Sequence, residues 1–177
     1  GRACGVRFNV LFKGGISWDD ITELAARLAD RHWHLQCLMD VTDIEDLAGR
    51  IASLPVPVVI DHMGHIDAAL GPEAPGFQAL LRVMDTGRVW VKLSAPYRLT
   101  RQDRPPFDDV TPLARALVAA RPDRLVWGSD WPHPSIATPM PNDGDLMDLL
   151  PLWVPDGETR RRILVDNPEE LYGFTSL

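Results

Sequence analysis

The strongest constraint on this chain is a rhythm. Short apolar runs ("VRFNVLF", "HLQCLM", "PVVIDHM", "VWVKLSA", "RLVWGSD") alternate with helical patterns along it. Runs that are apolar without strict alternation suit strands buried on both faces of a parallel sheet. Between them, "SWDDITELAARLADRH" offers Ser17 as N-cap with Asp20 three residues on, and Ile21, Leu24, Ala25 and Leu28 on one face. "TDIEDLAGRIASLP" predicts a capping box from Thr42 and Glu45, a stripe of Ile44, Leu47, Ala48 and Ile51, and a stop at Pro55. Phe77, Leu80, Leu81 and Met84 form a third stripe closed by Gly87. "TPLARALVAARP" supplies a fourth, with Thr111 as cap and Pro112 at the first helical position. The tail segments "GDLMDLLPLWV", "ETRRRILV" and "NPEELYGF" also read as helices.

Repeated βα units permit an open doubly wound sheet or a (β/α)8 barrel. An open sheet usually carries a glycine-rich phosphate turn, and neither GxGxxG nor a P-loop occurs. Polar residues instead close the apolar runs: Asp61-His62, Lys92, Ser94 and Asp130. Barrels draw their functional residues from the C-terminal ends of several strands. The expected fold is therefore α/β, a TIM (β/α)8 barrel. It is an incomplete one, because about five of eight strands are visible and a full barrel takes roughly 250 residues. The 177 residues begin Gly1-Arg2 and enter a strand at once, so the reading is a single domain over 1–177 that lacks N-terminal strands.

Charge narrows the partners. With a net charge of −7 and a pI near 5.1, no broad basic face for nucleic acid is expected. No apolar run approaches the roughly 20 residues needed to span a bilayer. Cys4 and Cys37 lack metal-like spacing and read as reduced thiols of a cytoplasmic protein. The sequence sets no oligomeric state.

Asp130 is the strongest candidate for chemistry. A strand-end carboxylate beside Trp131 should be partly desolvated, raising its proton affinity as suits a general base. A turn or N-cap aspartate would have the same local sequence. His62 follows an apolar strand, and Gly64 lets the chain turn. Asp61 should point the opposite way from His62, because side chains alternate along a strand, making it a structural partner. His65 and His133 read as loop hydrogen-bonders. Arg7 lies within an apolar strand and needs an anionic partner, either an internal acid or a substrate carboxylate. Arg98, Lys13 and Lys92 are further cations near strand ends, and guanidinium groups hold carboxylates bidentately. Surface ion pairs are the alternative for Lys13 and Lys92.

"VVIDHMG", "RLVWGSDWPHP" and "NPEELYGF" resemble the amidohydrolase-2 group of the amidohydrolase superfamily, nearest its 2-pyrone-4,6-dicarboxylate hydrolases and related lactonases. The resemblance runs over essentially the whole chain and implies a barrel. It implies that His62 ends strand five and polarises a substrate carbonyl, and that Asp130 ends strand eight and activates water. Arg7, Lys13 and Arg98 correspond to positions that hold substrate carboxylates. The group's H-x-H pair on the first strand has no counterpart here, since His32 and His34 precede a strand and read as structural. Leu38 and Met39 stand where a substrate-contacting tyrosine is expected, and Lys13 replaces an arginine.

The resemblance thus implies a hydrolase of carboxylated lactones or similar cyclic esters, acting without a cofactor and belonging to aromatic-compound degradation. One alternative within the fold is a metal-dependent lactonase or decarboxylase using a divalent ion such as zinc. Another is a truncated domain that binds without catalysing. If strands are missing, the 177 residues alone are expected to be poorly soluble or oligomeric, and inactive. His62 and Asp130 are expected within about 12 Å of each other, with Arg7 facing the same space.

Overall fold

The computed structural model describes residues 3–11, 16–136 and 139–174. Five strands, β1 (Gly5–Asn9), β2 (His34–Leu38), β3 (Val58–Ile60), β4 (Val89–Ser94) and β5 (Leu125–Gly128), form one sheet. Every neighbouring pair is parallel, and the order is β1-β2-β3-β4-β5. An open doubly wound sheet reverses its strand order at a switch point, whereas a barrel segment steps one way round. The sheet steps one way.

Between the strands lie α1 (Trp18–Ala29), α2 (Leu47–Ala52), α3 (Pro75–Met84) and α4 (Thr111–Ala120). α1 starts as its sequence requires: the Ser17 side chain accepts from the Asp20 N–H, and Ile21, Ala25 and Leu28 are buried. α2 differs from expectation. Asp40 Oδ1 takes both the backbone N–H and the hydroxyl of Thr42, at 2.8 and 2.6 Å, so no capping box forms there. A short local side-chain bond has out-competed helix initiation. The helix begins later, capped by the Asp46 side chain, and Ala48 is exposed. In α4, Thr111 is the first helical residue rather than the cap, and Val110 at the cap makes no side-chain bond.

Alternation along the strands sorts two faces. Leu35, Cys37, Val58, Ile60, Val91, Leu93 and Leu125 join the main core beneath the helices. The opposite face carries Val59, Trp90 and Val126, covered by Leu171 and Tyr172. Those two residues belong to the tail, which runs through α5 (Asp143–Asp148), α6 (Leu150–Trp153), α7 (Gly157–Arg161), a π turn (Arg162–Asp166) and α8 (Asn167–Tyr172). Buried Asn167 anchors the tail, donating from Nδ2 to the carbonyls of Pro122 and Leu125 at 2.8 and 2.6 Å. Above Val59, Trp90 and Val126, the same face turns polar toward the strands' C-terminal ends.

One count is corrected. Placing His62 on strand five and Asp130 on strand eight would leave two strands between theirs. There is one: β4 lies between β3 and β5 and pairs directly with each. Residues 95–124 hold turns and α4, with no extra strand. Among the described residues no helix is long and apolar enough to cross a membrane.

Candidate active site

His62 and Asp130 sit in a backbone conformation that ordinary strand continuation would not give. After Ile60, Asp61 remains extended, but His62 and Met63 are left-handed at φ +52° and +53°. Asp130 is left-handed too, at φ +68°. Non-glycine residues pay roughly 1–3 kcal/mol for such positions, so surrounding packing must hold them. Gly64 follows at φ +82°, where an added Cβ would meet Val41 at 2.9 Å. The expected sharp turn is there, and only glycine fits it.

This backbone corrects the reading of Asp61. Alternation does put Asp61 on the face of Val59, but the left-handed His62 folds back onto the same side, and both line one cleft. Asp61 is nonetheless a partner, as expected. Its side chain is 1% exposed and accepts from Arg7 Nε at 2.8 Å and from Gln36 Nε2 at 2.9 Å, with Lys92 Nζ at 3.4 Å. The anion that Arg7 requires is this internal acid.

His62 and Asp130 meet. His62 Nε2 lies 3.5 Å from Asp130 Oδ1, and His62 Nδ1 lies 2.8 Å from the Ser94 hydroxyl. A carboxylate facing Nε2 favours the tautomer with the proton there, so Ser94 donates to Nδ1. Burial lowers the His62 pKa to about 4, outweighing the attraction of Asp61 and Asp130 for a proton. The ring is therefore neutral at pH 7 and presents a single N–H to the cleft.

Asp130 departs from expectation. Burial does favour its protonated form, but the Tyr97 hydroxyl bond, His62 and Arg98 together outweigh that, leaving its pKa below the usual carboxylate value. Trp131 does not enclose it, being 74% exposed. Oδ2 accepts from Tyr97 at 2.6 Å and from Arg98 Nε at 2.8 Å. Oδ1 is left facing His62 and the cleft.

The cleft holds about 340 Å³, within the range of small-molecule sites (about 300–1,000 Å³). Its continuation is lined by Arg7, His62, Arg98 and Asp130. Along the two, the cations Arg7, Lys92 and Arg98 face the carboxylates Asp61 and Asp130, one positive charge in surplus on a chain of net −7. Such a pocket favours an anion. The structure thus gathers Arg7, His62, Arg98 and Asp130; Lys13 lies outside the described residues. His32 and His34 lie elsewhere, with His34 buried at the start of β2 against Tyr172. Sequence reading missed Tyr97 and Gln36 and gave Ser94 no partner. The proximity of Tyr97 to Arg98 in "APYRLT" was the available signal.

Among the described residues no three His, Cys, Asp or Glu side chains gather into a metal-sized cluster. The one carboxylate facing His62 already bears a guanidinium. The donor set is that of an anion site.

One-way parallel topology with a His–Asp pair at the strands' C-terminal ends places the site where (β/α)8 barrels carry theirs. The chain belongs to the amidohydrolase family, whose model matches residues 1–174. It is 41% identical over 181 residues to 4-sulfomuconolactone hydrolase of Hydrogenophaga intermedia, a match covering 97% of this chain and 58% of that protein. It is 37% identical over 179 residues to 2-pyrone-4,6-dicarboxylate hydrolase of Comamonas testosteroni, covering 95% and 58%. A crystal structure from Acinetobacter baumannii with citric acid bound superposes with a TM-score of 0.80 at 27% identity, covering 96% of this chain and 64% of that one. The chain thus spans about three-fifths of the length of these relatives.

Proposed function

We propose that the protein carrying this chain hydrolyses a carboxylated lactone or similar cyclic ester, of the kind that a 2-pyrone dicarboxylate represents. The observation that carries the reading is the 3.5 Å approach of His62 Nε2 to Asp130 Oδ1 inside a cleft with surplus positive charge. Water attacks the ring carbonyl carbon, and Asp130 Oδ1 takes its proton. The carbonyl oxygen becomes an oxyanion facing the His62 N–H. Collapse of this intermediate breaks the ring C–O bond. The departing oxygen takes the proton back from Asp130, leaving an open-chain hydroxy acid or its keto form.

Arg7 and Arg98 orient the substrate's anionic groups, together with Lys13, which lowers the entropic part of the barrier. Bound citric acid in the Acinetobacter baumannii relative and the lactone substrates named for the two curated relatives support this substrate class. In this reading the described residues supply the chemistry without a resident metal ion. The test is ring opening of 2-pyrone-4,6-dicarboxylate, followed by absorbance, with the Asp130→Asn variant alongside. Turnover that disappears in the variant supports the reading. Near-normal turnover in Asp130→Asn, or no opening of any lactone by the unaltered protein, would overturn it.

A further inference from the structure

Behind Asp130 a chain of polar groups runs to the surface, and the hydrolytic mechanism uses none of it. Tyr97 Oη lies 2.6 Å from Asp130 Oδ2 and 2.9 Å from His133 Nδ1. His133 Nε2 lies 3.1 Å from Asp143 Oδ1. Tyr97 and His133 are buried, at 7% and 4% exposure, while the Asp143 side chain is 48% exposed. These groups come from three places: the turn Pro96–Arg98, the loop after β5, and the first residue of α5.

Counting hydrogens leaves one arrangement. Tyr97 owns a single hydroxyl hydrogen and has two neighbours. If that hydrogen went to His133 Nδ1, two oxygens would face each other at 2.6 Å across buried space with no hydrogen between them. That arrangement is repulsive, and it wastes a buried acceptor. A proton on Asp130 could fill the gap, but Arg98 Nε donates to the same oxygen at 2.8 Å and holds it as a carboxylate. The Tyr97 hydrogen therefore goes to Asp130. His133 Nδ1 must then donate to the Tyr97 oxygen, while its Nε2 faces a carboxylate oxygen that only accepts.

We infer that Tyr97 and His133 are positioning residues for Asp130, with His133 bridging Tyr97 and Asp143 and turning the Tyr97 hydroxyl hydrogen toward Asp130 Oδ2. Asp143 holds the far side of the imidazole ring from α5. The relay commits Asp130 Oδ2 to Tyr97 and Arg98, so Oδ1 is the oxygen left to work in the cleft. It also couples the strand-end carboxylate to a surface helix more than ten residues further along the chain.

The test has two arms, and only the second rests on the proposed hydrolysis. In the first, the protein carrying this chain is labelled with 15N-histidine and observed by NMR, with His133 assigned from its absence in His133→Gln. A hydrogen on His133 Nδ1, bonded to the Tyr97 oxygen, is expected. It should exchange with water at least tenfold faster in Asp143→Ala, a variant of a half-exposed side chain. A His133 Nδ1 without hydrogen, or a His133 indifferent to Asp143→Ala, would overturn the inference. In the second arm, Tyr97→Phe removes a donor that lowers the Asp130 pKa, so Asp130 should overtake His62 as the group that sets the acid limb of kcat/KM on 2-pyrone-4,6-dicarboxylate, and the limb should move to higher pH. A lowered kcat with an unmoved limb would reduce Tyr97 to packing. If the unaltered protein opens no lactone, the hydrolytic reading fails, and the NMR arm still decides this one.

Discussion

Asp61 and Asp130 both follow apolar strands and open on the same cleft, yet their surroundings differ in kind. Asp61 is 1% exposed and saturated: Arg7, Gln36 and Lys92 surround both of its oxygens. Asp130 is 14% exposed and divided, one oxygen held by Tyr97 and Arg98 and the other turned to His62. A saturated carboxylate organises cations; a divided one keeps a lone pair for chemistry. The residue type is the same, and the way the partners are shared between the two oxygens assigns the role.

The sharpest test of that contrast exchanges each acid for its amide. Asp130→Asn should keep the fold and lower hydrolysis about 10²–10⁴-fold, because the amide cannot take a proton from water. Asp61→Asn should act mainly on stability. It leaves Arg7 and Lys92 without their shared anion, and costs about 1–3 kcal/mol in urea unfolding. If Asp61→Asn abolished turnover at unchanged stability while Asp130→Asn merely loosened the fold, the roles would have to be exchanged.

His62 is next in expected size. His62→Gln should lower kcat about 10²–10³-fold, the usual loss for one oxyanion donor. Its ionisation also sets a pH window. With His62 lowered to about 4 and Asp130 below its ordinary value, both hold their working forms from neutrality down to about pH 5. As pH falls through about 4, His62 gains a proton, and kcat/KM should fall with it. A limb near 6.5 would mean a solvated histidine instead. Stability follows the same linkage. The unfolded chain protonates this histidine near pH 6.5 and the folded chain only near 4, so the unfolded state binds more protons between them. Stability should decline as pH drops across that interval, and His62→Gln should flatten the slope.

Much of this arrangement was legible in the sequence, and the remainder has a physical reason for being hidden. The parallel sheet followed from five apolar runs, and α1 from Ser17 and its stripe, because those signals are local. His62 and Asp130 were legible as strand-end polar residues, Arg7 as a charge within an apolar strand and Arg98 as a cation beyond one. What decides their roles is not local. Asp61 and Arg7 are 54 residues apart, Tyr97 and Asp130 33, and His62 and Ser94 32. No period or cap reports such pairs. Asp130 shows the consequence: burial alone predicts a raised pKa, and the distant Tyr97, His62 and Arg98 reverse the sign. The α2 start failed for a smaller reason, since Asp40 satisfied Thr42 before a helix could.

Arg7 separates the two acids by a moderate effect. It is tied to Asp61 through Nε, yet its side chain is 46% exposed and opens on the cleft. Arg7→Ala should raise KM for a dicarboxylated lactone about tenfold, the loss of one charge-assisted bond, with kcat changed far less. A lactone lacking that carboxylate should not register the substitution. Equal losses on both substrates would make Arg7 only the counter-ion of Asp61.

The smallest effect belongs to Trp131, where surroundings and position point in opposite directions. Its neighbour Asp130 is the reactive group, yet the indole is 74% exposed and contributes almost no buried surface. Trp131→Ala should therefore change stability by no more than about 0.5 kcal/mol, as exposed substitutions do. It should also leave the acid limb of the pH profile in place, because the groups that lower the Asp130 pKa are Tyr97, His62 and Arg98. The indole does line the cleft, so a rise in KM for a flat-ringed lactone is the one change expected, by a few-fold at most through lost ring contact. A lowered Asp130 pKa in Trp131→Ala, read at its own carboxyl carbon by NMR, would show that the indole desolvates Asp130 after all, and would return the acid to the hydrophobic setting that its flanking sequence suggests.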